Sequence, residues 1–201
     1  MLLPRLLLTG FSPFLGQSIN PSALLLERMQ KIFPDSIDTL LLPVSFKKVF
    51  PAFQGHWQNH GPYSTVLMLG QASGRDSVCL ERVAVNWMES SHADEENWRP
   101  GAQKIDPDGP DSFLIDFFSA KWAEELSALG PVQSSFSAGT FVCNSLYYQV
   151  SGYLKPMGIK TLFVHVPLLP EQTSPKQNLP SLDLANQGQI IARIISDLKP
   201  V

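Results

Sequence analysis

Thr161-Leu162-Phe163-Val164-His165-Val166-Pro167-Leu168-Leu169-Pro170-Glu171-Gln172 reads as a buried strand that stops at a proline-punctuated loop, with His165 at its carboxyl end. In open parallel sheets the carboxyl ends of the strands are where ligand crevices form. Residues 5–9 are another continuous apolar run, the pattern of a strand covered on both faces, and residues 65–69 are a third, ending in Gly70-Gln71-Ala72-Ser73-Gly74. Shorter strands are expected at 38–42 and 132–136. Helical segments fall between them. Asn20 can cap and Pro21 can open a helix over 22–32, and 46–60 has helical spacing closed by Gly61-Pro62. Residues 111–129 place Phe113, Ile115, Phe117, Phe118, Trp122 and Leu126 on one broad face, and 186–198 form a terminal amphipathic helix. Residues 88–110 and 171–183 read as polar loops. The alternation predicts one domain over residues 1–201, an α/β fold built as a three-layer α/β/α open sandwich with a mixed, mostly parallel sheet.

The chemistry centres on Gly139-Thr140-Phe141-Val142-Cys143-Asn144-Ser145-Leu146-Tyr147-Tyr148-Gln149-Val150. A small pair precedes a stretch able to run as a helix, which puts Cys143 in or near its first turn. Unpaired N–H groups and the positive end of the helix dipole favour an anion there, so such a thiol can titrate below its free value of about 8.5. The usual fate of a free cysteine is burial as a small hydrophobe, and position alone leaves both readings open. Leu80-Glu81-Arg82-Val83-Ala84-Val85-Asn86-Trp87 places a carboxylate at the start of another short apolar run. A Cys, a His and an acid on separate elements are what a thiol hydrolase needs as nucleophile, general acid/base and orienting group.

Composition narrows the partners. With 201 residues and 44% hydrophobic content the chain can bury one sizeable core. A net charge of -3 and a pI near 5.8 give no basic surface for nucleic acid. Two cysteines, Cys79 and Cys143, are no disulfide framework and fit a reducing, cytoplasmic setting. Residues 1–8 are apolar but short and interrupted by Pro4 and Arg5. They read as the first core strand rather than a signal peptide, and no apolar run is long enough to span a bilayer.

Several segments together resemble the pyroglutamyl peptidase (pyrrolidone-carboxylate peptidase) family. They are Leu8-Thr9-Gly10-Phe11-Ser12-Pro13-Phe14, Ile19-Asn20-Pro21, Gly70-Gln71-Ala72-Ser73-Gly74-Arg75, Glu81-Arg82-Val83-Ala84-Val85-Asn86, Ala138-Gly139-Thr140-Phe141-Val142-Cys143-Asn144 and the stretch from Phe163 to Gln172, with Pro180-Ser181-Leu182 also fitting. The resemblance implies a phosphorylase/hydrolase-type sandwich, no cofactor, a cytoplasmic location and a homo-oligomer, dimer or tetramer. It also implies a Cys143, His165 and Glu81 triad that removes N-terminal pyroglutamate (5-oxoproline) from peptides. Phe11, Phe14, Phe141 and Val142 fall at its pocket positions, and Gln71 at its lactam-recognition position. An amide side chain that both donates and accepts suits a lactam; for Phe11 and Phe14, plain core packing is the competing reading. A diverged relative that binds a lactam or peptide terminus without turnover is the alternative function. The chain departs from the family pattern at Ser12, Leu15 and Ser91, the last standing where the family has an Arg; Arg99 is the nearest cation downstream.

Other residues invite simpler readings. Cys79 shares a strand face with Glu81 by its offset of two, and burial is favoured for it. His56 and His60 stand four apart without the Glu of a hydrolase pair and read as a solvated helix face, as His92 reads as lacking metal-ligand spacing. Asp94-Glu95-Glu96 reads as exposed loop charge.

Overall fold

The structure, a computed structural model, describes residues 5–174 and 178–198. Part of the expected first strand (1–4) and of the 171–183 loop (175–177) lies outside the described residues. The chain runs β1 (Leu6–Phe11), α1 (Pro21–Ile32), β2 (Ile37–Leu42), α2 (Val49–His60), β3 (Thr65–Gln71), β4 (Val78–Glu81), β5 (Val83–Val85), β6 (Ser112–Leu114), α3 (Ala120–Ser127), β7 (Val132–Ser135), α4 (Val142–Leu154), β8 (Lys160–Val166) and α5 (Leu184–Leu198). Six strands form one sheet in the order β2-β1-β3-β8-β4-β7, and β5 pairs with β6 in a small separate sheet. All main-sheet pairs are parallel except β4 against β8. Helix α5 contacts both α1 and α3, and α1 and α3 pack on the sheet; α2 packs on α4, which lies against β8. This is the expected α/β/α sandwich with a mixed, mostly parallel sheet. Among the described residues no helix is long and apolar enough to cross a membrane.

The continuous apolar runs became the central strands for the expected reason. Every residue of β1 is buried, as are all of β3 but Gln71 and all of β8 but Lys160, because helices cover both faces. Asn20 caps α1 through its Oδ1, which accepts the Ser22 N–H at 3.0 Å, and its Nδ2 donates to the Ser12 carbonyl at 3.1 Å. That pair of bonds fixes both ends of the loop that leaves β1.

Some expectations are corrected and others sharpened. Residues 111–129 are not one helix: Ser112–Leu114 is strand β6, and the helix begins only at Ala120, where Ser119 Oγ accepts the Trp122 N–H. Phe113, Ile115 and Phe117 alternate at the period of a strand, whereas Phe118, Trp122 and Leu126 repeat at the period of a helix. The apolar run 80–87 is divided between the two sheets. The chain leaves the main sheet at Arg82, whose N–H bonds the Ser135 carbonyl at 2.7 Å and whose carbonyl accepts from Ile115 at 2.8 Å, so Glu81 ends β4 and β5 joins β6. Asp94-Glu95-Glu96 is a docking clamp: Glu95 and Glu96 are exposed as expected, but Asp94 is buried and all three acids are bonded. Asp94, 3% exposed, accepts the N–H groups of Phe46, Glu96 and Trp98; Glu95 accepts from Val44 N–H; Glu96 pairs with Ser45 Oγ and Lys48 Nζ. The pair on α2 is also less solvated than its spacing implied, since His56 is half-buried and its Nε2 lies 3.0 Å from Tyr63 Oη, which donates to Asp38.

Candidate active site

One row of residues crosses the sheet: Gly70 on β3 pairs with His165 on β8, His165 with Cys79 on β4, and Cys79 with Gln133 on β7. Partners in register point to the same face. Two residues along, Glu81 stands opposite Phe163 on that face. The sheet thereby brings His165 and Glu81 together, with His165 Nδ1 2.8 Å from Glu81 Oε1, both residues buried. A carboxylate only accepts, so Nδ1 carries the proton and Nε2 is left to take one.

Cys143 comes to this face from α4. It is the second residue of the helix, after Phe141 in the capping position, and its residue surface is half-buried. A β-carbon at Gly70 would lie 3.0 Å from Cys143 Sγ and 2.7 Å from the Phe163 ring. Only a glycine lets the thiol settle this close to the strand beside His165. Burial, then the Glu81 charge, pushes the thiol's pKa up to about 12, and its own backbone N–H offsets only part of this. Among the described residues no hydrogen bond joins Sγ to His165. Burial and the negative Glu81 thus favour the neutral thiol over the thiolate that the helix N-terminus would stabilise.

A pocket of about 310 Å³ opens over the thiol, lined by Phe11, Phe14, Gln71, Phe141, Cys143 and Gln172 among others. Its aromatic wall is continuous. Phe141 packs on Phe14 at 5.6 Å and edge-on to Phe46 at 5.2 Å, and Phe46 meets Trp98 edge-on at 5.4 Å. The Asp94 clamp holds the segment that carries Phe46. On the polar side Gln172 Nε2 donates to Gln71 Oε1 at 2.8 Å.

The structure thus gathers Cys143, His165 and Glu81 at one place and puts Phe11, Phe14, Gln71 and Phe141 around the pocket. Phe11 is 2% exposed and serves core and pocket at once. Val142 is fully buried and is not among the lining side chains. Cys79 is also fully buried, its Sγ accepting from Gln133 Nε2 and donating to the Ser77 carbonyl, each at 3.3 Å. Ser91 and Arg99 are both exposed.

Three supporting residues escaped the sequence reading. Arg75 pairs with Glu81 Oε1 at 3.2 Å while its guanidinium donates to Ser135 Oγ and the Ser137 carbonyl. Asn144, beside the thiol, binds β5 by accepting from Val85 N–H and donating to the Val85 and Trp87 carbonyls. Gln172 ties the pocket loops together. Each lies within a segment that carries the family resemblance. For Asn144 and Gln172 that was the available signal, because their partners are 57 to 153 residues away in sequence or are backbone groups that no side-chain pattern marks; for Arg75 the acid six residues on, Glu81, was a second one.

Comparison with known proteins gives a consistent picture. The family described as pyroglutamyl peptidase matches residues 4–196. A pyrrolidone-carboxylate peptidase of Staphylococcus aureus (strain bovine RF122 / ET3-1) is 38% identical over 188 residues, 90% of this chain and 87% of its own. Among solved structures, the pyrrolidone carboxyl peptidase of Fervidobacterium islandicum AW-1 superposes with a TM-score of 0.89 at 34% identity, covering 97% of this chain and 98% of that one. Pyroglutamyl peptidase I of Bacillus amyloliquefaciens gives 0.88 at 32% identity over 98% and 96%.

Proposed function

The chain belongs to the pyroglutamyl peptidase family, and from that membership we propose that it is a cysteine exopeptidase that removes N-terminal 5-oxoproline from peptides. The observation that carries this reading is Cys143 at the start of α4, held against Gly70 and facing a pocket walled by Phe11, Phe14 and Phe141, on the sheet face where Glu81 bonds His165. Cys143 is the nucleophile, His165 the general acid/base and Glu81 the orienting carboxylate. Phe11, Phe14 and Phe141 enclose the ring and Gln71 binds its amide.

The neutral thiol sets the first step. His165 Nε2 takes the Sγ proton as sulfur attacks the scissile carbonyl carbon, so proton transfer accompanies attack and no thiolate has to persist at rest. The carbonyl oxygen becomes an oxyanion near the unpaired N–H groups of the first turn of α4. Collapse of the tetrahedral species breaks the C–N bond, and the amine leaves with the proton held by His165. Water, deprotonated in turn by His165, then hydrolyses the thioester and releases pyroglutamate. Glu81 stabilises the imidazolium at both stages.

The reading also carries a reducing, cytoplasmic setting, because oxidation of Cys143 would end turnover, a single domain over the whole chain, and a homo-oligomer, which sedimentation would test. The direct test is a fluorogenic pyroglutamyl amide. Release of the fluorophore by the wild type and none by a folded Cys143→Ala variant is the expected result. Ligand binding without release would favour the binding-only alternative, and activity surviving Cys143→Ala would overturn the nucleophile.

A further inference from the structure

We propose that Gln172 fixes which way round the Gln71 amide stands, and that this makes the pocket require a hydrogen-bond acceptor on the ring it takes in. The inference rests on the reading that the pocket receives a five-membered lactam. Gln172 follows the strand carrying His165 by a short loop and lines the pocket with Gln71. Its Oε1 accepts the Leu169 N–H at 2.9 Å, and its Nε2 donates to the Ile19 carbonyl at 3.2 Å. A backbone N–H can only donate and a backbone carbonyl can only accept, so these two groups allow the Gln172 amide one orientation. The same Nε2 gives its other hydrogen to Gln71 Oε1 at 2.8 Å.

Gln71 is then fixed as well. Turning it round would set its NH2 against the NH2 of Gln172, donor against donor. Gln172 holds Gln71 Oε1 on its own side through one of that oxygen's two lone pairs, so the Gln71 NH2, which has no protein partner among the described residues, is the group that side chain turns to the pocket. A 5-oxoproline ring answers it with the lactam carbonyl oxygen. A prolyl ring has no acceptor there and brings an ammonium instead, so the same donor rejects it. Gln172 is a positioning residue in this scheme. It joins the loop after β1, the end of β3 and the loop after β8, and need not touch the substrate.

The test compares two replacements whose order separates orientation from mere support. Gln172→Glu keeps an acceptor for Leu169 N–H but presents oxygen to Gln71, which must turn its NH2 outward and leave its own oxygen facing the lactam carbonyl. Gln172→Met removes all three hydrogen bonds and lets Gln71 turn freely. If Gln172 orients Gln71, Gln172→Glu loses roughly 10- to 100-fold in kcat/KM on a pyroglutamyl amide, chiefly through KM, and Gln172→Met loses less. The Glu oxygen also faces the Ile19 carbonyl, so melting temperature measures loop support: if Gln172 merely supports the loop, the losses of the two variants in kcat/KM follow their losses in melting temperature. Thermal melting confirms that both variants fold. Calorimetric binding of pyrrolidin-2-one, the bare uncharged lactam ring, gives the same ranking without turnover. Losses that follow the melting temperatures, or Gln172→Met equal to or worse than Gln172→Glu in both assays, with the wild type active, overturn the orientation and leave the peptidase reading standing. A wild type that neither hydrolyses the amide nor binds pyrrolidin-2-one overturns both.

Discussion

The proposed catalytic groups and the pocket wall are held in different ways. His165, Glu81 and the Gly70 gap are placed by strand register, in a row fixed by backbone pairing across β3, β8 and β4. The wall is placed by side chains. Phe46 stands where it does because Asp94 and Glu95 accept backbone N–H groups from residues 44–46, and the Gln71 amide because Gln172 accepts and donates across three loops. A register places a residue without help from its neighbours' chemistry; a clamp fails when one carboxylate is lost. Damage in the first region should therefore appear in kcat, and damage in the second in KM.

The sharpest way to break the first region without touching a reacting atom is Gly70→Ala. The new methyl would overlap both Cys143 Sγ and the Phe163 ring. Either the thiol moves or the core side chain does. Misplacement on the order of 1 Å costs about 10²-fold in rate, and overpacking of this kind costs about 1–3 kcal/mol in stability. Single-turnover kinetics should show the loss in the acylation step with pyrrolidin-2-one binding little changed. Unaltered acylation would mean that the close approach of Cys143 to β3 has no bearing on catalysis.

Asp94→Ala probes the second region. It leaves the N–H groups of Phe46, Glu96 and Trp98 without their acceptor, two of them bonded at 2.9 Å and one at 3.0 Å. Loss of such a partner costs about 1–3 kcal/mol, read as a lower urea midpoint. With Phe46 released, the edge-on support of Phe141 goes too, so KM for a pyroglutamyl amide should rise by roughly tenfold while kcat changes less. A fall in kcat with KM unchanged would contradict the division drawn above.

What the chain's pattern made legible divides along the same line. Strands β1, β3 and β8 could be read because burial on both faces writes itself as uninterrupted apolar residues, and α1 because Asn20-Pro21 is a local start signal. Cys143 at a helix start and His165 at a strand end followed from those elements. The Asp94 clamp could not be read, since the backbone N–H groups that dock it on residues 44–46 lie 48 and 51 residues upstream and nothing in three adjacent acids distinguishes a docked loop from a solvated one. The split at Arg82 was hidden because residues on both sides are apolar and only the identity of the neighbouring strand changes. The thiol's ionisation stayed open for a related reason. The helix N-terminus is local and visible, whereas the Glu81 charge and the surrounding burial arrive through tertiary packing.

Glu81→Gln turns that last point into the smallest expected effect, measured on a single group. In the wild type, burial and the Glu81 charge hold the thiol neutral, its pKa pushed up to about 12. Below that value the thiolate fraction falls about tenfold for each pH unit, so alkylation of Cys143 by iodoacetamide should keep accelerating as pH rises from 7 toward 11 instead of levelling off near neutrality. Replacing Glu81 by the neutral amide removes the second of the two causes and leaves burial, the larger, in place. The thiol pKa should fall part of the way, and at a fixed pH near 8 alkylation should quicken by a few-fold. The gain is limited because a less basic thiolate is also a weaker nucleophile, with a Brønsted slope of about 0.4–0.5. Turnover should move the opposite way, since in the proposed mechanism the same carboxylate orients His165 and stabilises its imidazolium. Faster alkylation with slower hydrolysis would mark Glu81 as a group that suppresses the resting thiolate while promoting the step that needs it. Alkylation that slows along with hydrolysis would instead mean that a thiolate–imidazolium pair already exists at rest and that Glu81 sustains it.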